Sequence, residues 1–443
     1  MQQNLTQGSV FRSIVFFSLP MILGNMLQQL YNVADTLIVG RYIGSEALAS
    51  VGTSFTLMTF LTSILLGLCM GSSVFFSMCY GAGDEGRMKE GIFVAFVLIA
   101  VLTLILNIGT YLFLDPILGL LRVPAELYNQ IREYLEVVLL GMCFTFLCNF
   151  FTSLLRALGN SVAPLLFLGV STLLNIGLDL LFVLNFGLGV AGAAWATVIA
   201  QGVSAACIVC YALRRASFLV PARRHLRMRA EIVRQIFSFS FLTCLQQSVM
   251  NLGILMIQGL VNNFGADAMA AFAAAVKIDA FAYMPVQDFG NAFSTFIAQN
   301  HGARKAARIR LGIRSASLTA FVFCVIVSAF VFFLAQPLIE IFIDPAEVGV
   351  VAIGVEYLRI EGACYCGIGC LFLLYGLYRG LARPDISVVL TVVSLGVRVA
   401  LAYLLAPIVG LPGIWWAIPI GWILADTIGL LYYRARRNSL LSA

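Results

Sequence analysis

Long stretches of this chain carry almost no polar residues, and the polar residues that do occur gather in short clusters between them. Apolar runs fall near residues 14–40, 50–79, 91–114, 133–155, 163–186 and 190–213, then 235–262, 268–298, 315–336, 355–378, 387–406 and 411–433. A helix of about 20 residues crosses a bilayer, and each run reaches that length. A backbone in lipid must satisfy its own hydrogen bonds, so the choice lies between helices and a closed barrel. Barrel strands alternate polar and apolar over about ten residues, whereas these runs are continuous. The pattern predicts an all-α polytopic membrane protein with twelve transmembrane helices. The first run follows Arg12 like a signal peptide, yet it continues past Pro20 toward Gly40 without a small-residue cleavage pattern, so it reads as a retained first span.

Charge then orients the spans. Alternate loops are basic: Arg87 and Lys89; Arg156; Arg214, Arg215, Arg223, Arg224, Arg227, Arg229 and Arg234; Arg304, Lys305, Arg308, Arg310 and Arg314; Arg379 and Arg383; Arg434, Arg436 and Arg437. The opposite loops carry Asp115, Glu126, Asp344 and Glu347. Lys and Arg stay on the cytoplasmic side, which places both termini of this multi-pass protein there. Over the 443 residues the composition is 61% hydrophobic and 11% charged, with a mean hydropathy of +0.98 and a net charge of +6. The topological bias accounts for that charge, so a nucleic-acid partner is not expected. The basic segment 214–234 reads as a linker along anionic membrane lipids.

The two halves resemble each other at a period of about 221 residues. YIGSEALAS at 42–50 recurs as NFGADAMAA at 263–271, VPAE at 123–126 as DPAE at 344–347, and GVAGAAWA at 189–196 as GLPGIWWA at 410–417. NMLQQL at 25–30 has a looser echo in CLQQSV at 244–249. Domain organisation follows: a six-helix N-terminal lobe at 1–213, the linker at 214–234, and a six-helix C-terminal lobe at 235–443. Duplicated halves of this kind occur in secondary transporters, working around a central site.

Ionisable groups inside the spans are the candidate chemistry. Asp35 lies about twenty residues into the first span. A bare carboxylate there costs several kcal/mol, so it pairs, faces water or takes up a proton. Asn175 and Asp179 stand four apart on one helix face, and Thr197 adds a hydroxyl from the next span. The four side chains suit a proton relay or a Na⁺ site built of oxygens, or else a polar network that packs helices. The second half has no copy of this set, since Asp179 falls opposite Ala400. Its own polar residues include Gln246, Gln247, Asn251, Gln258, Lys277, Asp279, Gln287, Asp288 and Asp426. Tyr31, Phe60, Gln246, Lys277, Asp279 and Tyr283 are the candidates for a substrate cavity, where ring faces attract cations. The cluster CYCGIGC at 364–370 lies in an apolar helix without a nearby histidine and reads as packing. Neither His225 nor His301 has a catalytic setting. Pro20 and Pro285 mark possible bends. An enzyme lacks a nucleophile–base set or metal cluster here, and a sensory protein lacks a soluble module.

These residues resemble the multidrug and toxic compound extrusion (MATE) family over nearly the whole chain. The marks are SLPMILGNMLQQLYNVADTLIVGRYIGSEALASVG in the first span, YGAGD after the second, LLRALGN after the fourth, NIGLDLLFV in the fifth and GVAGAAWATVIA in the sixth. The resemblance implies two six-helix lobes around a V-shaped central cleft that opens alternately to each side. It implies export of small amphipathic, often cationic molecules in exchange for H⁺ or Na⁺, without ATP or another cofactor. One chain holds both lobes, so a monomer suffices. In the DinF-like branch the functional carboxylates lie in the N-terminal lobe, and Asp35, Asn175, Asp179 and Thr197 match that set as the H⁺ or Na⁺ site. Another branch uses a glutamate in the seventh span and an aspartate in the tenth. Here the seventh span has glutamines, and the tenth has Glu356 and Glu361 early, so a cation site of that kind is not expected in the C-terminal half. The runner-up function is a flippase for a lipid-linked precursor, which needs a more cationic cavity than Lys277, Arg359 and Arg398 provide.

Overall fold

The computed structural model describes residues 3–42, 45–120, 125–215 and 220–442, and among them all regular structure is helical. Some side chains within those ranges, including those of residues 33–37 and 40–42, lie outside the described set. In the first half run α1 (Val10–Tyr42), α2 (Ser45–Ala82), α3 (Glu85–Leu112), α4 (Leu114–Leu120), α5 (Ala125–Leu140), α6 (Met142–Ala157), α7 (Val162–Leu180) and α8 (Gly189–Arg215). The second half has α9 (Ala230–Asn262), α10 (Ala266–Gly302), α11 (Ala306–Phe333), α12 (Ala335–Glu340), α13 (Val348–Gly362), α14 (Tyr365–Gly380), α15 (Pro384–Val409) and α16 (Leu411–Ser442). Among the described residues ten helices are long and apolar enough to cross a membrane, and twelve spans result when two bent pairs are each counted as one. Large apolar side chains such as Leu112, Phe333 and Ile408 stay exposed, as a lipid-facing surface requires.

The two bent spans occupy matching places in the repeat. Glu126–Leu140 meets Met142–Ala157 at 45°, and Val348–Gly362 meets Tyr365–Gly380 at 52°. Glycine sits at both breaks. A Cβ on Gly141 would come within 2.9 Å of Val198 Cγ2, and one on Gly362 within 3.0 Å of Val331 Cγ1. Tight turns follow the second break, where Cys364 N donates to Glu361 O at 2.9 Å and Gly367 N to Cys364 O at 2.8 Å. Pro20 and Pro285, by contrast, lie inside continuous helices.

The chain forms two compact units. One comprises residues 1–3, 23–80 and 84–244, and the other residues 4–22, 81–83 and 245–443. The divisions inside α1 and α9 fall beside NMLQQL and CLQQSV, so the internal echo extends to where each helix changes unit. In the first unit α2 lies against α9 at Gly67 and Gly71: a Cβ on Gly67 would be 2.5 Å from Cys244 Cα, and one on Gly71 would be 2.5 Å from Ser240 Cα. Removing the side chain at every fourth residue lets two helix backbones meet. YGAGD turns α2 into α3. Gly83 adopts φ +71°, a left-handed conformation that glycine takes at helix ends without strain. Asp84 then caps α3, its Oδ1 accepting from Arg87 N at 2.9 Å. The basic linker is pinned to α3 by Arg87 Nη2 to Glu231 Oε1 at 2.8 Å and Arg229 Nε to Glu90 Oε2 at 3.2 Å.

In the second unit the amino-terminal strap is held by Arg308. Its guanidinium donates to Leu5 O at 3.2 and 3.1 Å, to Gln7 O at 2.6 Å and to Gly8 O at 2.7 Å. Lys305 Nζ reaches Thr6 O at 2.8 Å, and the Leu5 side chain is fully buried. Charged hydrogen bonds contribute about 1.5–3 kcal/mol each. Arg308→Ala is therefore expected to speed amide exchange across residues 4–8 by roughly tenfold or more, read by hydrogen–deuterium exchange mass spectrometry. Unchanged exchange would mean that Leu5 burial alone retains the strap.

Candidate functional site

In the first unit α7 carries Asn175 and Asp179 on one face, and both side chains are buried. The backbone widens into a π-helical turn at Leu181–Asn185, immediately after the acid. Such turns re-aim side chains and recur at functional sites. Either orientation of the Asn175 amide brings it to α8. With Nδ2 toward Thr197 Oγ1 the separation is 3.3 Å. Turned over, Nδ2 donates to Asp179 Oδ2 at 2.7 Å while Oδ1 accepts from Thr197 N at 3.1 Å. The second orientation gives donor and acceptor each a complement, so it is the chemically consistent one. Tyr31 Oη lies 3.3 Å from Thr197 Oγ1, which joins α1 to the group. Asp35 is on α1, but its side chain lies outside the described residues. Asn175, Asp179, Thr197 and Tyr31 are thus brought together, with the Asp179 carboxyl 0% exposed. A carboxyl in that setting is held by its hydrogen bonds and by whatever proton or cation neutralises it.

The second unit contains an acidic centre of different composition. Asp279 on α10 accepts from Tyr357 Oη on α13 at 2.7 Å and also from Tyr365 Oη on α14. Glu361, one helical turn beyond Tyr357, is buried beside the α13–α14 break. Arg398 on α15 is also buried. Stacked aromatic rings close the group: Phe272 lies on Trp415 at 5.6 Å, and Tyr357 meets Trp415 edge-on at 4.8 Å. Sequence reasoning named Asp279 and Tyr283 but assigned Glu361 to the start of its span and missed Tyr357 and Tyr365 as partners of Asp279. The available signal was the four-residue spacing of Tyr357 and Glu361, together with the glycine at 362.

The remaining cavity candidates are scattered. Gln246 is buried on α9, while Phe60 is exposed. Lys277 is exposed, with its ammonium 6.0 Å from the Phe342 ring centre. Tyr283 is half-buried, 6.1 Å from the Phe372 ring.

The MatE family profile matches twice, at residues 20–181 and 240–404, as a duplicated chain should. The probable multidrug resistance protein YpnP of Bacillus subtilis is 28% identical over 435 residues, covering 98% of this chain and 97% of that protein. The multidrug export protein MepA of Staphylococcus saprophyticus is 25% identical, covering 95% and 92%. A solved structure described as the outward-facing conformation of a multidrug resistance MATE family transporter of the MOP superfamily superposes with a TM-score of 0.92 at 25% identity, covering 98% of each chain. With its all-helical fold, its twelve spans and a family match in both halves, the chain belongs to the MatE family of membrane transporters.

Proposed function

We propose that this protein is a secondary active efflux transporter that exchanges amphipathic, cationic compounds for H⁺ or Na⁺ by alternating access. The observation that carries the coupling site is the buried Asn175–Asp179–Thr197 group. Asp35, from the same unit, supplies a second carboxyl. When the site is open to the cytoplasm it is empty, and the protein takes up substrate. After opening outward, H⁺ or Na⁺ binds at Asp35 and Asp179, and substrate leaves. A ligand shifts such an equilibrium only through its different affinity for the two states. A buried acid whose neutralisation changes its hydrogen bonds supplies that difference. The chain sits in a bacterial inner membrane with both termini cytoplasmic, as its loop charges require. The names of its relatives as multidrug resistance and export proteins agree with this reading.

The test uses purified protein in sealed liposomes loaded with a cationic dye. A pH gradient and a Na⁺ gradient are imposed separately, with the membrane potential clamped. Dye movement follows one gradient and disappears in the Asp35→Asn/Asp179→Asn variant. Movement that ignores both gradients, or that survives both substitutions, removes the coupling site and brings lipid flipping forward.

A further inference from the structure

Helix α11 is the counterpart of α3 at the period of about 221 residues, yet the two begin differently. The start of α3 is acidic: Asp84 caps it, Glu85 pairs with Lys89 at 3.6 Å, and Glu90 pairs with Arg229. At the corresponding places α11 has Lys305, Ala306, Arg310 and Leu311. The chain carries no acid between Asp288 and Glu340, an interval that holds Arg304, Lys305, Arg308, Arg310 and Arg314. The amino terminus of a helix is itself partly positive, so no neighbour in sequence offsets these cations. Lys305 and Arg308 are engaged by strap carbonyls, which are neutral. Arg310 and Arg314 are exposed, and among the described residues neither forms an ion pair or a side-chain hydrogen bond.

The rest of the helix sets the depth of the pair. Residues 315–333 carry no charge and rise about 28 Å at 1.5 Å per residue, close to the roughly 30 Å hydrocarbon core of a bilayer. Arg314 thus stands at the edge of that core, and Arg310 lies one turn further out, at headgroup depth. Residues four apart on a helix are neighbours. The same ridge continues through Leu318, Val322, Ile326 and Phe330, all exposed. The opposite ridge of Gly312, Ala316, Ala320 and Cys324 is buried.

We propose that Arg310 and Arg314 bind the headgroup phosphate of one anionic phospholipid, with an acyl chain along the Leu318–Phe330 ridge. Guanidinium and phosphate meet through paired, charge-assisted hydrogen bonds, and two guanidiniums one turn apart hold one phosphate between them. The occupant is anionic rather than zwitterionic because a cluster of cations without an acid repels a choline ammonium. Attraction of Lys and Arg to anionic headgroups is general. The cation pair standing directly above an apolar ridge, at matching depth, makes this a site. At the equivalent place on α3 protein carboxylates neutralise the cations, so no second such site arises there.

Native mass spectrometry of the full-length protein in detergent reads the site, with phosphatidylglycerol and phosphatidylcholine of the same chains as probes. The first phosphatidylglycerol is expected to bind at least roughly tenfold tighter than the first phosphatidylcholine. Arg310→Gln/Arg314→Gln should lose that preference. Arg434→Gln/Arg437→Gln removes the same charge from exposed positions on α16 and should keep it. Glycerol phosphate, which has the headgroup but no chains, should not compete. Equal affinity for the two lipids, or an equal loss in both double variants, overturns the site in favour of a diffuse surface field. Competition by glycerol phosphate overturns the lipid assignment and leaves a free-phosphate site. If Arg310→Gln/Arg314→Gln does not fold, the parent protein decides the matter. Phosphatidylglycerol carrying a photoreactive diazirine in its chain is expected to label α11 between Leu318 and Phe330, and no label in that segment overturns the proposal.

Discussion

Asp179→Asn is expected to abolish gradient-driven dye accumulation while leaving a folded protein that still binds dye. The substitution keeps the size of the side chain, and the amide oxygen it introduces still accepts from Asn175, whose nitrogen lies 2.7 Å from Asp179 Oδ2. What it removes is the charge that a proton or Na⁺ would neutralise. Coupling free energies between sites run to about 3 kcal/mol, or roughly 100-fold, so accumulation ratios should fall by about that factor. The variant mimics a permanently neutral site, so exchange of dye against dye should persist where net transport does not. Three measurements separate the cases: gradient-driven uptake, dye exchange without a gradient, and thermal unfolding in detergent. Full accumulation by Asp179→Asn would take the coupling role away from this carboxyl. Loss of both transport and the folded state would make it a packing residue.

The largest expected effect on stability comes from Gly71→Val. A Cβ at this position would press on the Phe239 carbonyl and lie 2.5 Å from Ser240 Cα. These are backbone atoms within α9 and cannot rotate away as a side-chain tip can. Overpacking typically costs about 1–3 kcal/mol and sometimes more, and a contact with backbone belongs at the upper end, about 3 kcal/mol. Gly109 on α3 is the control, because nothing lies within 4 Å of a Cβ placed there. Gly109→Ala should be neutral or stabilising by roughly 0.5–1 kcal/mol, since alanine loses less backbone freedom in a helix. Thermal unfolding of the purified proteins side by side reads both. Equal melting of Gly71→Val and the parent would mean that α2 and α9 are not in close backbone contact.

Particular residues show how much was legible beforehand. The spans were readable because lipid imposes one simple rule, a long apolar helix, on every segment that crosses it. The Asn175–Asp179 face and the nearby Thr197 were also readable, since a helix places residues four apart side by side and the following span returns beside it. Asp279 was readable as an acid in an apolar run, but its partners were not. Tyr357 and Tyr365 lie on two other helices, about 80 to 90 residues away in sequence and beyond the reach of any local periodicity. The GLCMG stretch at residues 67–71 could have signalled a close helix contact, but its partner at Phe239–Cys244 is far along the chain.

Composition, periodicity and local spacing were enough to establish that this chain crosses a membrane repeatedly, is duplicated, and keeps acids at membrane depth. Short-range physics converts those properties directly into helices, so no knowledge of the folded chain was needed. Which acids meet which partners was settled only by folding. Asp179 comes to rest against an amide, whereas Asp279 is held by two phenols. The chemistry of a buried charge depends on its few nearest neighbours, and in this fold those neighbours are supplied by helices remote in sequence.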